Sequence, residues 1–87
     1  MRKSFDTFTD FINFLNESSK DGSLCIHEYT EIYDAVEDCM AHSEAIEYGH
    51  GELTGIVYSM DDDGWEFTVT YTYPDGKTFE IKKEQVW

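Results

Sequence analysis

A chain of 87 residues has room for one small core, and its 19 acidic against 6 basic residues give a formal net charge of -13. That balance excludes direct binding to nucleic acid or to an anionic membrane surface, because too few Lys and Arg are present to neutralise phosphates. Disordered chains are charged but poor in aromatics; here 16% of residues are aromatic and 40% hydrophobic, so one folded domain over residues 1–87 is expected.

The charge is unevenly placed. No Lys or Arg falls between Asp21 and Gly76, a stretch that holds 14 of the acidic residues. Arg2, Lys3 and Lys20 precede it, and Lys77, Lys82 and Lys83 follow it. Two like charges in contact repel by about 1 kcal/mol in water. Summed over such a surface, this is large beside a domain stability of about 5 to 15 kcal/mol. A surface so lopsided suits a protein that meets a basic partner, although it also keeps a protein soluble.

Met1-Arg2-Lys3 has the charged start of a signal peptide, but Asp6 and Asp10 interrupt the apolar run that a leader requires. Cys25 and Cys39 are too few for a secreted disulfide framework. The expected location is the cytoplasm, which for a phage-encoded protein means that of the bacterial host.

In chain order, Phe5, Phe8, Phe11, Ile12 and Leu15 keep the three- and four-residue spacing of one helical face and predict a helix over 7–19. Asp6 or Thr7 can cap its start, Thr7 with Asp10 approximates a capping box, and Phe5 can staple onto the first turn. Gly22 suits a left-handed stop. Residues 23–29 read equally as a short strand or as the lead-in to a second helix. That helix is predicted over 30–48, with Tyr29, Ile32, Tyr33, Val36, Cys39 and Met40 as its apolar stripe. Glu31, Asp34, Glu37 and Asp38 lie on the other side, with no Lys or Arg four positions away to pair them. Gly49-His50-Gly51 ends it.

The period then changes to two, predicting strands over 53–60, 65–73 and 77–86. Tyr73-Pro74-Asp75-Gly76-Lys77 is a turn signal, since Pro presets the first turn dihedral and Gly accepts the left-handed one. Pairing Tyr73 with Lys77 sets Tyr71 against Phe79 and Val69 against Ile81. A loop at Asp61–Gly64 pairs Met60 with Trp65, Tyr58 with Phe67 and Ile56 with Val69. Both registers place apolar residues on one face and Thr68, Thr70, Thr72, Thr78, Glu80 and Lys82 on the other. The expected fold class is α+β: two N-terminal helices packed on a three-stranded antiparallel β-meander.

From Gly55 to Trp87, the Gly-Ile-Val strand and the Asp-Gly turns resemble the strands of SH3-like or Tudor-like small barrels. That resemblance implies a peptide-binding adaptor, with Tyr58, Trp65, Tyr71 and Tyr73 as an aromatic cage for a methylated lysine or arginine. The same four residues fall in the phase of the core face, beside Phe67 and Val69.

No catalytic motif is present. Cys25, His27, Cys39 and His42 are zinc-ligand types, but their spacing fits no standard finger or ribbon and Cys39 falls on the apolar stripe. Asp61-Asp62-Asp63 lacks the alternating ligands and closing Glu of a calcium loop. His50 has no Ser or Cys partner. Neither an enzymatic activity nor a metal or other cofactor is expected.

What stands out is the acidic helix. About 20 residues span about 30 Å, with carboxylates about 4 Å apart along the axis, near the roughly 3.4 Å per phosphate of a DNA strand. The expected partner-binding residues are Glu28, Glu31, Asp34, Glu37 and Asp38, with Asp61, Asp62 and Asp63 at the hairpin tip. The expected partner is a basic protein, a nuclease or CRISPR-type effector whose nucleic-acid site such a helix can occupy. The chain would then be a DNA-mimic inhibitor of the anti-CRISPR or anti-restriction kind. The same electrostatics suit an immunity protein or antitoxin that neutralises a bacterial nuclease toxin. Oligomeric state is left open.

Overall fold

The chain begins with a strand rather than a helix. The computed structural model describes residues 1–87 as β1 (Arg2–Phe5), α1 (Phe8–Lys20), α2 (Ile26–Tyr48), β2 (Glu52–Asp61), β3 (Gly64–Thr72) and β4 (Thr78–Val86). The strands form one antiparallel sheet in the order β1-β2-β3-β4. The fold is therefore α+β, with two helices and a four-stranded sheet where three strands were expected. The extra strand has only 4 residues and one large apolar side chain, Phe5, so it carries no alternation to read. It exists because β2 offers an open edge, along which Arg2 pairs with Ser59 and Phe5 with Ile56. The sheet does not close on itself, so the likeness to small barrels stops at the hairpins.

Local chemistry sets the helix ends. Thr7 caps α1, its Oγ1 accepting from the Asp10 backbone N–H at 3.1 Å. Gly22, at φ 84°, takes the left-handed position beyond the last turn. Residues 23–25 form the loop and α2 starts at Ile26, four residues earlier than predicted. There Glu28 accepts the Cys25 backbone N–H at 3.3 Å. Cys is a rare residue at this position, which hides the start from sequence reading.

Both helices lie on one face of the sheet. Phe11 and Leu15 of α1 and Ile32, Val36 and Cys39 of α2 meet Ile56, Tyr58, Trp65, Phe67, Val69 and Tyr71, with Leu24 closing the loop end. The hairpin registers follow the predicted pairs, Met60 with Trp65, Tyr58 with Phe67 and Tyr71 with Phe79. A bulge between Leu53 and Gly55 interrupts β2 near its start. The opposite face, bearing Thr68, Thr70 and Thr72, is covered by no element.

The β2–β3 hairpin is tighter than the predicted four-residue loop, since Asp61 pairs with Gly64 and leaves only Asp62-Asp63 at the tip. Gly64 has φ 144°, and a Cβ there would overlap the carbonyl oxygen of Gln85 on β4. Gly64→Ala is therefore expected to destabilise the fold by about 2 kcal/mol or more, read as a lower urea midpoint.

Candidate partner-binding surface

Helix α2 carries seven carboxylates and no Lys or Arg. Its 3.6-residue turn points Ile32, Val36, Cys39 and Ser43 at the core and distributes the acids around the rest of its circumference. They consequently fall into two groups.

The first group is engaged within the chain. Glu28 is half-buried and holds the Cys25 N–H. Glu31 is half-buried and pairs with His27 at 3.0 Å, while its buried Oε2 has no hydrogen-bond partner. Asp38 accepts from Lys83 of β4 at 2.5 Å. The lysine's hydrogen bond and charge hold the Asp38 carboxyl below its ordinary value, and Asp38 in turn raises the Lys83 ammonium. Three of the five candidates on α2 thus serve the fold as well as the surface.

Asp34 and Glu37 form the second group with Glu44 and Glu47, two residues outside the expected set. All four are exposed, and none has an ion-pair partner. They wind along α2 over about 20 Å at 1.5 Å per residue, a spacing of about 6 Å or more. The free charge is therefore sparser than a count along the helix suggests. Glu44 and Glu47 were legible as helix carboxylates without nearby Lys or Arg, but the predicted acidic face ended too early to include them.

Asp61, Asp62 and Asp63 are exposed at the hairpin tip, where Asp61 accepts from the Asp63 backbone N–H at 2.8 Å. The tip stands at the end of the sheet where α2 begins: along α2, Asp38 meets Lys83 at the level of Phe67 and Ser43 then meets the Tyr71 hydroxyl, so the helix runs away from the tip. The strip from Asp34 to Glu47 runs away from it, towards Gly51, which packs on Tyr73 beside the β3–β4 turn. Tip and strip are two surfaces rather than one.

Basic residues are mostly engaged on the sheet. Lys82 meets Glu66 at 3.3 Å and Glu84 at 3.7 Å, Lys77 meets Asp75 at 4.0 Å, and Lys3 lies 4.9 Å from the Phe14 ring centre. No Lys or Arg forms an ion pair with the exposed strip.

The aromatic residues do not form an open cage. Tyr58, Trp65 and Tyr71 are 1%, 6% and 0% exposed, and all three belong to the core. Trp65 stacks on Phe67 at 6.0 Å. Tyr29 and Tyr33 pair at 5.6 Å on α2, and Tyr29 donates to Asn16 of α1, locking the two helices together. Cys25 is exposed and Cys39 buried, and no group of three or more His, Cys, Asp or Glu side chains is placed to hold a metal ion. No helix is long and apolar enough to cross a membrane. The chain shows no significant match to a protein-family model, a curated protein or a solved structure.

Burial pushes the Tyr58 and Tyr71 hydroxyls up from 10.0 to about 12, with smaller contributions from Glu28 at Tyr58 and from Cys39 and Glu47 at Tyr71. In the unfolded chain both ionise at the lower value. Their contribution to stability is complete below pH 10 and is lost as pH rises towards about 12. The urea midpoint should fall steeply across that window, and Tyr58→Phe should make the fall shallower.

Proposed function

We propose that this chain is a small acidic inhibitor acting in the cytoplasm, which sets α2 against the Lys/Arg-lined nucleic-acid site of a nuclease or CRISPR-type effector. The observation that carries this reading is the exposed strip Asp34, Glu37, Glu44 and Glu47, none of which has an ion-pair partner within the chain. Such a strip repels itself in the free protein and gains most from a basic surface. The apolar stripe beneath keeps the helix rigid, so little order is lost on binding. A charge of this sign speeds encounter with a basic site, and salt weakens that effect. The DNA-mimic form of the reading rests on the strip, with the hairpin tip as a second, separate contact.

Inhibition of DNA cleavage can be measured across a panel of restriction and RNA-guided nucleases. The expected result is inhibition that competes with DNA and weakens as salt rises. Replacing Asp34, Glu37, Glu44 and Glu47 by Lys should raise the inhibitory constant at least about a hundredfold, two charge-assisted contacts of about 1.4 kcal/mol each being enough. The circular dichroism spectrum should not change. Asp62→Lys with Asp63→Lys should cost less. Equal inhibition by the helix variant would refute the reading. Protection against a single nuclease toxin that still binds its substrate would instead assign an immunity protein.

A further inference from the structure

The strand order leaves β1 and β4 with one unpaired edge each, and they differ in length, 4 residues against 9. A long open edge is a template for another strand. Its hydrogen-bonding phase follows from two contacts at the ends of β4. Tyr73 N–H donates to Lys77 O and Trp87 N–H donates to Asp63 O, each at 2.9 Å. Bonded pairs alternate in an antiparallel ladder, so Phe79, Ile81, Lys83 and Gln85 bond to β3. Thr78, Glu80, Lys82 and Glu84 present their N–H and C=O groups outward.

Two further features mark this edge. Beside it, between α2 and β4, runs an apolar groove of about 400 Å³ lined by Ala41, His42, Ala45, Ile46, Phe79 and Ile81. Phe79 is 48% exposed in it. The segment from Lys77 to Trp87 also carries three lysines against two glutamates, so the edge escapes the excess negative charge found elsewhere.

We infer that this edge pairs with the same edge of a second copy, antiparallel about a two-fold axis at Ile81. The choice of occupant and register rests on charge. With the axis at Ile81, Glu80 of each copy faces Lys82 of the other, and these are the positions whose backbone groups point outward. Thr78 then faces Glu84, and Phe79 lies against the aliphatic stem of Lys83. The two Ile81 side chains meet beside the groove. Moving the axis to Lys82 sets Lys82 against itself and Glu80 against Glu84. An axis at Glu80 or Lys83 sets that residue against its own copy. The Lys83 axis also sets Lys82 against Glu84, but only by placing Lys83 against its own copy. The Ile81 register alone among these flanks its axis with opposite charges and contains no like-charged pair.

Edge lysines ordinarily discourage pairing. Here Lys82 already lies between Glu66 and Glu84, and Lys83 is held by Asp38, so neither enters the pairing as an unmatched charge. Two copies of net charge -13 repel one another, but the paired edge adds little to this, since Lys77, Lys82 and Lys83 offset Glu80 and Glu84. The result is a continuous eight-stranded sheet with both α2 helices on one face. It depends on the sheet edge and not on the α2 strip, so it stands or falls separately from the proposed function.

Sedimentation of the full chain tests the inference, with a concentration-dependent species of twice 10.1 kDa expected. Glu80 and Lys82 are exposed on the uncovered face, so their substitution leaves the core untouched. Lys82→Glu alone and Glu80→Lys alone should each raise the dimer dissociation constant about tenfold or more by setting like charges opposite one another. Mixing these two single variants should give a heterodimer, and the double swap E80K/K82E should restore the homodimer. Amide exchange at Glu80 and Lys82 should slow with dimerisation. A chain that stays monomeric at every concentration, or whose edge is occupied only when a different protein is added, overturns the inference. So does a dimer indifferent to both single substitutions, because that dimer uses another surface.

Discussion

Phe11 is the contact on which the arrangement of the molecule depends. It lies 5.1 Å from the Phe5 ring of β1, 5.4 Å from Tyr58 of β2 and 5.3 Å from Phe67 of β3, and it has no exposed surface. One ring from α1 therefore joins three of the four strands. Truncating a buried Phe costs about 3 to 5 kcal/mol, a large share of what a domain this size commands. Aromatic rings suit the role in a small core because each buries much area and prefers tilted contacts, which let one ring meet several neighbours.

A core of this kind also explains how the chain tolerates its charge. Apolar burial supplies the attraction, and the few cations are placed where the acidic density would otherwise act on the fold. Lys83 ties β4 to α2 through Asp38, and Lys82 bridges Glu66 and Glu84 across the open face of the sheet. These pairs are exposed and individually weak. Their effect is to distribute charge, leaving the sheet near balance and the outer side of α2 strongly negative. An asymmetric field of that sort lets one rigid helix face a basic surface while the sheet edge remains able to meet a neutral one.

The two surfaces have different physical bases. On α2, charge is displayed from a helix held by Ile32, Val36 and Cys39, with long-range attraction and little shape. On β4, backbone groups are displayed beside an apolar groove, with directional short-range recognition and little net charge. A protein that used both would carry two α2 helices on one side of a double-width sheet, enlarging the acidic face without a longer chain.

Much of the fold was legible in the sequence because its strongest signals are periodic. Phe8 to Leu15 and Ile32 to Cys39 keep helical spacing, while Ile56 to Met60 and Trp65 to Tyr73 alternate. The Pro-Asp-Gly turn and the short acidic hairpin then set registers that the pairings follow. What the sequence could not show was long-range. Arg2–Phe5 becomes a strand only because β2 has an edge to receive it, and Ile26 starts a helix only because Glu28 closes back on Cys25. The acidic helix was likewise visible as composition, but composition does not say which carboxylates are free. Tertiary packing decided that for Asp38, by bringing Lys83 to it, while Glu28 and Glu31 are half-buried on local partners, the Cys25 N–H and His27, so that the exposed strip falls on Asp34, Glu37, Glu44 and Glu47. Periodicity is a property of neighbours in the chain, whereas the free charge of a side chain depends on which distant residue folding sets beside it.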